Sequence, residues 1–524
     1  MAEYIVTVKE GVDWQEVHNE LVARGKTVLK LRPNNPRNTH YDLTHLEAED
    51  LRKDERILAV QPKKYQVAMA DFQEHSDWKN NDGSTPWGLV RHTSATNLYG
   101  GSSTLSNHTY DYVLDGTGVD VVIVDTGINP DHEDFKDANG VSRVKQINWF
   151  DESGVSGTQH SSFYTDPNGH GTSCAGVAAG LTTGWARNAN IYSIKAYLGQ
   201  DGVNEFDASM DYEDIFDCIR GWHNAKGGSR PTVVNLSWGF FGAFYTTLPI
   251  GYPLYIGDDP KVYDVNRPTT GGVFRGTAHN DVNPIKWREN YGMAGWLNGE
   301  KENGIMRGPM QFTSIDVDIK QMADAGIMTC IAAGNDNNKW SRPGNEDYDN
   351  HFTFSGTGDG DVDNQDYLFD NGKYYYNRRS TPNLNGGNNT DTTPGLLVGA
   401  MDSTAYSSTL NRRMIWSCVG DAVDLYAVGI HRKSPSSSSN TAYRSFGGTS
   451  SASPDVAGMC ALLLQAHPDW TPRQVTNWMK DNATDKIYTG GSTDFDDAYS
   501  LWGSEQKVAY FPLKGQNIFS VSGS

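Results

Sequence analysis

The run Val121-Val-Ile-Val-Asp-Thr-Gly-Ile128 constrains this chain more than any other segment. Four consecutive apolar β-formers leave no polar face, so the segment reads as a buried strand of a parallel sheet, as found in α/β architectures. The strand delivers Asp125 at its C-terminal end, where open α/β sheets gather ligands and chemistry.

Two further segments supply partners for that carboxylate. Asn168-Gly-His-Gly-Thr-Ser-Cys-Ala-Gly176 puts His170 at the start of a helix of small residues. Phe446-Gly-Gly-Thr-Ser-Ser-Ala-Ser-Pro454 runs into the apolar stretch from Val456 to Leu464 and sets Ser450 at a glycine-rich turn that opens a buried helix. There the helix dipole and free N–H groups favour a developing negative charge. A bare Gly-Thr-Ser also fits an ordinary helix cap, and a lone Asp or His is more often structural. Together the three complete an Asp, His, Ser set, in which the imidazole takes the hydroxyl proton and the carboxylate holds its tautomer.

The order Asp125, His170, Ser450 is that of subtilisin, and here the chain resembles the subtilase family of serine peptidases. Val233-Val-Asn-Leu-Ser-Trp-Gly239 is similar to the family's substrate-binding edge strand, and Ile331-Ala-Ala-Gly-Asn335 to its oxyanion segment. Similar stretches run from about Pro86 to Asp485: Pro86-Trp-Gly-Leu89, Leu397 to Asp402, Trp416 to Gly429, and His467 to Val475. The resemblance implies a three-layer subtilisin-like α/β fold and a serine endopeptidase with Asp125, His170 and Ser450 as triad and Asn335 as oxyanion donor. It also implies pocket walls of Ser237, Trp238, Gly239, Ala332, Ala333 and Gly334, and no cofactor for catalysis. Motif spacing is nearest to proteinase K-like members, which carry a free cysteine where Cys174 stands; as a residue Cys174 reads as small buried packing. The calcium loop that some subtilisins place after the histidine is expected to be missing, although Asp134 matches one of its ligands. Asp336 near the rim suggests tolerance of basic side chains.

The N-terminal region has an organisation of its own. Tyr4 to Val8, Lys26 to Leu31, His40 to Leu43 and Ile57 to Val60 read as strands. Helices are expected from a cap at Asp13 through Arg24, stopped by Gly25, and from Thr44 to Arg56. This βαββαβ pattern describes a ferredoxin-like α+β domain. Subtilases are often preceded by an inhibitor-type propeptide of this topology, so the resemblance implies a propeptide over residues 1–70 that acts as an intramolecular inhibitor of a self-processing zymogen. An independent binding domain is the alternative. Residues 71–85 read as a polar linker, 86–485 as the catalytic domain, and 486–524 as a C-terminal extension.

Two insertions depart from compact family members, at about 240–312 and 337–389. The first emerges beside the substrate strand and would narrow access, dock a partner or form a surface lobe. The second holds Asp359, Asp361, Asp363 and Asp370 at calcium-loop offsets. Asn364 in place of the turn glycine and the short Asp370 leave a solvated acidic loop as the alternative to a structural calcium site.

Charge and cysteines narrow the surroundings. A formal net charge of -20 argues against nucleic acid or an anionic membrane as partner, and the family resemblance implies protein or peptide substrate. Cys174, Cys218, Cys330, Cys418 and Cys460 are odd in number and widely spaced, which suits reduced thiols. The first residues lack the pattern of a Sec signal, so the expected location is cytoplasmic or particle-associated. That absence, with the two insertions, motivates a rival reading in which the fold is kept by a latent structural component of a larger particle such as a virion.

Overall fold

The computed structural model describes residues 2–32, 35–62, 66–69, 87–97, 112–148, 151–152, 165–196, 212–227, 230–245, 269–280, 295–296, 305–309, 311–354, 373–375, 377–378, 394–402, 411–485, 487–488 and 500–512. The chain divides into two compact units. One comprises Met1–Val67, Phe240–Val317 and Asn338–Ser380, the other Ala68–Gly239, Asp318–Asn337 and Thr381–Ser524.

Within the first unit, the N-terminal region follows the expected βαββαβ order, with strands Ala2–Val8, Thr27–Lys30, Asn38–Leu43 and Ile57–Pro62 in one antiparallel sheet. Its spatial order places the first strand beside the third and fourth, as in ferredoxin-like folds. Asp13 caps the first helix, Trp14–Ala23, by accepting from the Gln15 amide. The second helix, His45–Leu51, starts at a Thr44–Glu47 capping box and ends before the expected Arg56, where the Arg52 guanidinium turns to the Val60 carbonyl. Val6, Val17, Leu21, Tyr41, Leu43 and Leu51 fill the core between helices and sheet.

The two segments read as insertions share a sheet. Thr269–Phe274 pairs with His351–Phe354, with Thr277–His279 and Lys373–Tyr375 on the outer sides. Beside it the buried Asp347 carboxylate accepts from Arg275, Lys339 and Asn350, so the charge removed from water is met by two cations. A further sheet joins Gly295–Trp296, Ile305–Pro309, Trp238–Tyr245 and Gln66–Met69 in that order. The acidic run carrying Asp359, Asp361, Asp363 and Asp370 lies outside the described residues.

The second unit is built on a mainly parallel sheet. Val144–Gln146, Asn190–Lys195, Asp120–Asp125, Thr232–Leu236, Met328–Ala332 and Leu396–Asp402 run parallel in that spatial order, Leu425–Val428 continues from the last, and Asn411–Arg413 is antiparallel to it. Asp120–Asp125 is buried at every position, as its composition requires. Val121 and Ile123 join a core with Val177, Trp185, Val456 and Leu462, while Val122 and Val124 are covered on the opposite face. The helix Thr449–Ala466 crosses the sheet and packs on the helix His170–Ala179. Among the described residues no helix is long and apolar enough to cross a membrane.

Candidate active site

Three sheet strands and two helix starts converge on one site. Asp125 ends the central strand and His170 opens its helix, and the imidazole Nδ1–H donates to Asp125 Oδ1 at 2.7 Å. Both groups are buried. This bond leaves Nε2 as the basic nitrogen, the arrangement a general base needs. Nε2 is buried with no hydrogen-bond partner among the described residues.

The close approach of strand and helix depends on glycine. A Cβ at Gly171 would lie 2.1 Å from the Gly127 carbonyl oxygen and 3.0 Å from Asp125 Cβ. Every first-turn amide of the helix is met by a side chain or the helix itself. His170 N donates to Asn168, Gly171 N to Thr126 Oγ1, Thr172 N to Asp166, and Ser173 N to the Gly169 carbonyl.

Ser450 lies in the first turn of Thr449–Ala466, almost fully buried. Its hydroxyl donates to the Ser237 carbonyl at 3.2 Å, and its own carbonyl accepts from Ser237 Oγ at 3.2 Å and from the Cys174 thiol at 3.5 Å. Cys174 Sγ is also 3.8 Å from His170 Nδ1, so one thiol packs under both catalytic candidates. Burial, reinforced by the Asp125 charge, holds that thiol well above its usual pKa, in keeping with a packing role. All five cysteines are buried free thiols.

The oxyanion segment is oriented by the turn before Ser450. Asn335 Oδ1 accepts from the Thr449 amide and hydroxyl, both at 2.9 Å, and Thr449 Oγ1 accepts from Gly334 N at 3.0 Å. With its oxygen fixed, the Asn335 amide nitrogen faces Gly448. A Cβ placed on Gly448 would meet Asn335 Nδ2 at 3.1 Å and Ser450 N at 3.5 Å. Glycine at that position, with φ of 85°, therefore leaves a space faced by two N–H donors.

The expected pocket residues end two adjacent parallel strands, Thr232–Leu236 and Met328–Ala332. Ser237, Ala332 and Ala333 are buried, and Gly239 and Gly334 are partly exposed. Trp238 points inward, donating its indole N–H to the Val124 carbonyl at 2.7 Å and packing on Tyr212.

Several contributors escaped the sequence reading. Asn235 bridges Ser237 and Ser453, tying the end of the strand Thr232–Leu236 to the helix Thr449–Ala466. Phe446 packs edge to face on His170 with ring centres 5.4 Å apart. The hairpin formed by Arg432–Pro435 and Tyr443–Phe446 grips the His170 helix through Arg444, which donates to Ser173 Oγ and the Gly169 carbonyl. Asp134 is claimed by its own chain: Thr182 donates to one carboxylate oxygen through its amide and hydroxyl, and Thr183 to the other.

Residues 116–499 match the model of the subtilase family, and the chain belongs to that family. A subtilisin-like serine protease of Penicillium citrinum is 32% identical over 171 residues, covering 32% of this chain and 34% of the relative. A subtilisin-like protease of Coccidioides posadasii is 24% identical over 402 residues, covering 76% of this chain and 54% of the relative. Alkaline protease 2 of Aspergillus fumigatus is 38% identical over 163 residues, covering 30% and 29%. The chain thus spans between 29% and 54% of the length of these relatives. Among solved structures, that of a cold-adapted subtilisin-like serine proteinase aligns at 20% identity with a TM-score of 0.43, covering 82% of this chain and 98% of the other.

Proposed function

We propose that the chain is a serine endopeptidase that hydrolyses peptide bonds through an acyl-enzyme at Ser450. The observation that carries this reading is the pairing of the Asp125–His170 bond with the two donors, Asn335 Nδ2 and Ser450 N, facing the space beside Gly448. Rotation of the Ser450 hydroxyl from the Ser237 carbonyl toward Nε2 starts the reaction. His170 Nε2 takes the proton, Oγ bonds to the carbonyl carbon, and the oxyanion settles on the two donors. The C–N bond then breaks as Nε2 returns the proton to the leaving amine. Water repeats the sequence to free the acid, and Asp125 keeps the imidazole oriented throughout. Ser237, Trp238, Gly239, Ala332, Ala333 and Gly334 are assigned to the substrate walls, and membership of the subtilase family supports protein or peptide as the substrate.

We further propose that residues 1–70 are an inhibitor-type propeptide and that the chain processes itself. The ferredoxin-like order of the N-terminal sheet supports this. The scissile bond falls near Met69-Ala70 or Ala70-Asp71. Wild-type protein should react with a fluorophosphonate probe after activation and yield a new N-terminus there, while Ser450→Ala should remain unlabelled and uncut. An activated wild type that neither labels nor cleaves peptides would favour the latent structural component instead.

A further inference from the structure

We infer that Asp166 is a positioning residue for the Asp125–His170 pair, a buried carboxylate that locks the end of one strand and the start of one helix into a single hydrogen-bonded frame. The inference rests on His170 being the base of the proposed reaction.

Asp166 lies 5% exposed, in the segment that leads into the helix. Both of its oxygens are fully used. Oδ1 accepts from Thr126 Oγ1 and from Gly169 N, each at 2.8 Å. Oδ2 accepts from Thr172 N at 2.8 Å and from Thr172 Oγ1 at 2.6 Å. The four donors come from two places in the sequence that flank the reacting groups: Thr126 follows Asp125, and Gly169 and Thr172 bracket His170.

The frame closes on itself. The Thr126 hydroxyl, having given its hydrogen to Asp166, accepts from Gly171 N at 2.9 Å, and the Thr172 hydroxyl, having given its own, accepts from Asn129 N at 3.0 Å. Hydroxyls that donate to a fixed acceptor are forced to present lone pairs elsewhere, so the carboxylate sets the direction of every bond in the ring. A neutral amide at position 166 cannot do this. Whichever way it turns, its NH2 faces a hydroxyl and an amide N–H that both need an acceptor.

Gly169 explains why the carboxylate comes from outside the helix. This residue occupies the N-cap with φ of 86° and has no side chain to offer the first turn. Asp166 supplies the missing cap from three residues upstream and reaches Thr126 at the same time. An ordinary cap would satisfy the helix alone, whereas this one also fixes the helix against the Asp125 strand.

Displacements of about 1 Å in a reacting pair cost on the order of a hundredfold in rate. Asp166→Asn in the activated enzyme is therefore expected to lower kcat by about ten- to a hundredfold with KM changed less than about twofold, because substrate walls stay in place while the proton-transfer geometry loosens. Thr126→Val should reproduce the loss, Thr126→Ser should hold kcat within about threefold of wild type, and the Asp166→Asn/Thr126→Val double variant should be little worse than either single one. A folded Asp166→Asn with wild-type kcat, or with its loss confined to KM, overturns the inference. If Asp166→Asn does not fold, Thr126→Val decides, and an unchanged kcat there overturns it equally. His170→Ala is measured alongside: retained activity in that variant would refute the base assignment itself, a failure distinct from that of Asp166.

Discussion

His92 makes the fold sensitive to acid, by an amount that follows from its surroundings. Its ring is fully buried in the helix Trp87–His92. Nδ1–H donates to the Ala509 carbonyl at 2.7 Å, and Nε2 accepts from the Val428 amide at 3.1 Å, so the folded ring is neutral. Burial, followed by the positive charge of Arg91 and, to a smaller degree, Arg432, pushes its pKa from 6.5 down to about 3, and Asp455, with Oδ2 3.9 Å from Nε2, does not offset this. Because the folded pKa is depressed, the unfolded chain binds the proton first. The stabilisation is complete above pH 6.5 and is lost as pH falls toward 3, with a limiting slope of about 1.4 kcal/mol per pH unit and a total of about 5 kcal/mol. His223, pushed down to about 4 chiefly by burial, acts in the same direction, and Asp455, raised by burial, in the opposite one. The measurement is therefore a difference. Urea unfolding of Ser450→Ala protein, with and without His92→Gln, is followed between pH 7 and 4. The His92→Gln background should start less stable and fall less steeply, by close to one proton's slope below pH 6. Parallel curves would refute the assignment of a buried neutral ring.

Two other perturbations test the site and the metal expectation. Asn335→Ala removes the donor that Thr449 aims and should lower kcat by roughly two to three powers of ten, the range found for the matching donor in a subtilisin, with KM little changed; steady-state kinetics with the loss confined to KM would remove Asn335 from this role. Calcium is expected to bind the Asp359 to Asp370 run and raise the melting temperature by mass action, so a melt and a limited proteolysis of that run, each unaffected by chelator, would eliminate the site.

Much of the architecture was legible because it is written in local patterns. The apolar run at Val121 is a buried strand, and the helix expected to start at His170 spans His170–Ala179. The helix expected from Thr44 to Arg56 spans only His45–Leu51, because its end is set by a tertiary contact, Arg52 to the Val60 carbonyl, and not by a glycine or proline stop. The same distinction runs through the site. Asp125, His170, Ser450 and Asn335 stand in recognisable motifs. Asp166 does not, and Asn235 and Phe446 lie inside quoted motifs that do not reveal their contacts, since those contacts exist only where separate segments meet. Asp166 offered one signal, an acidic residue just ahead of a helix whose N-cap is glycine, but its bond to Thr126 spans 40 residues and no local pattern reports it.

The convergence of distant segments on Ser450 also bears on how the chain survives its own synthesis. Asp125 and His170 are 45 residues apart, and the helix bearing the nucleophile arrives only after most of the sheet strands it packs against. Contacts of such long range form late, because their loop-closure entropy must be met before they stabilise anything. A partly folded chain therefore holds the triad residues without the triad. Under the proposed function, proteolytic competence is then a property of the finished core and not of the partly folded chain.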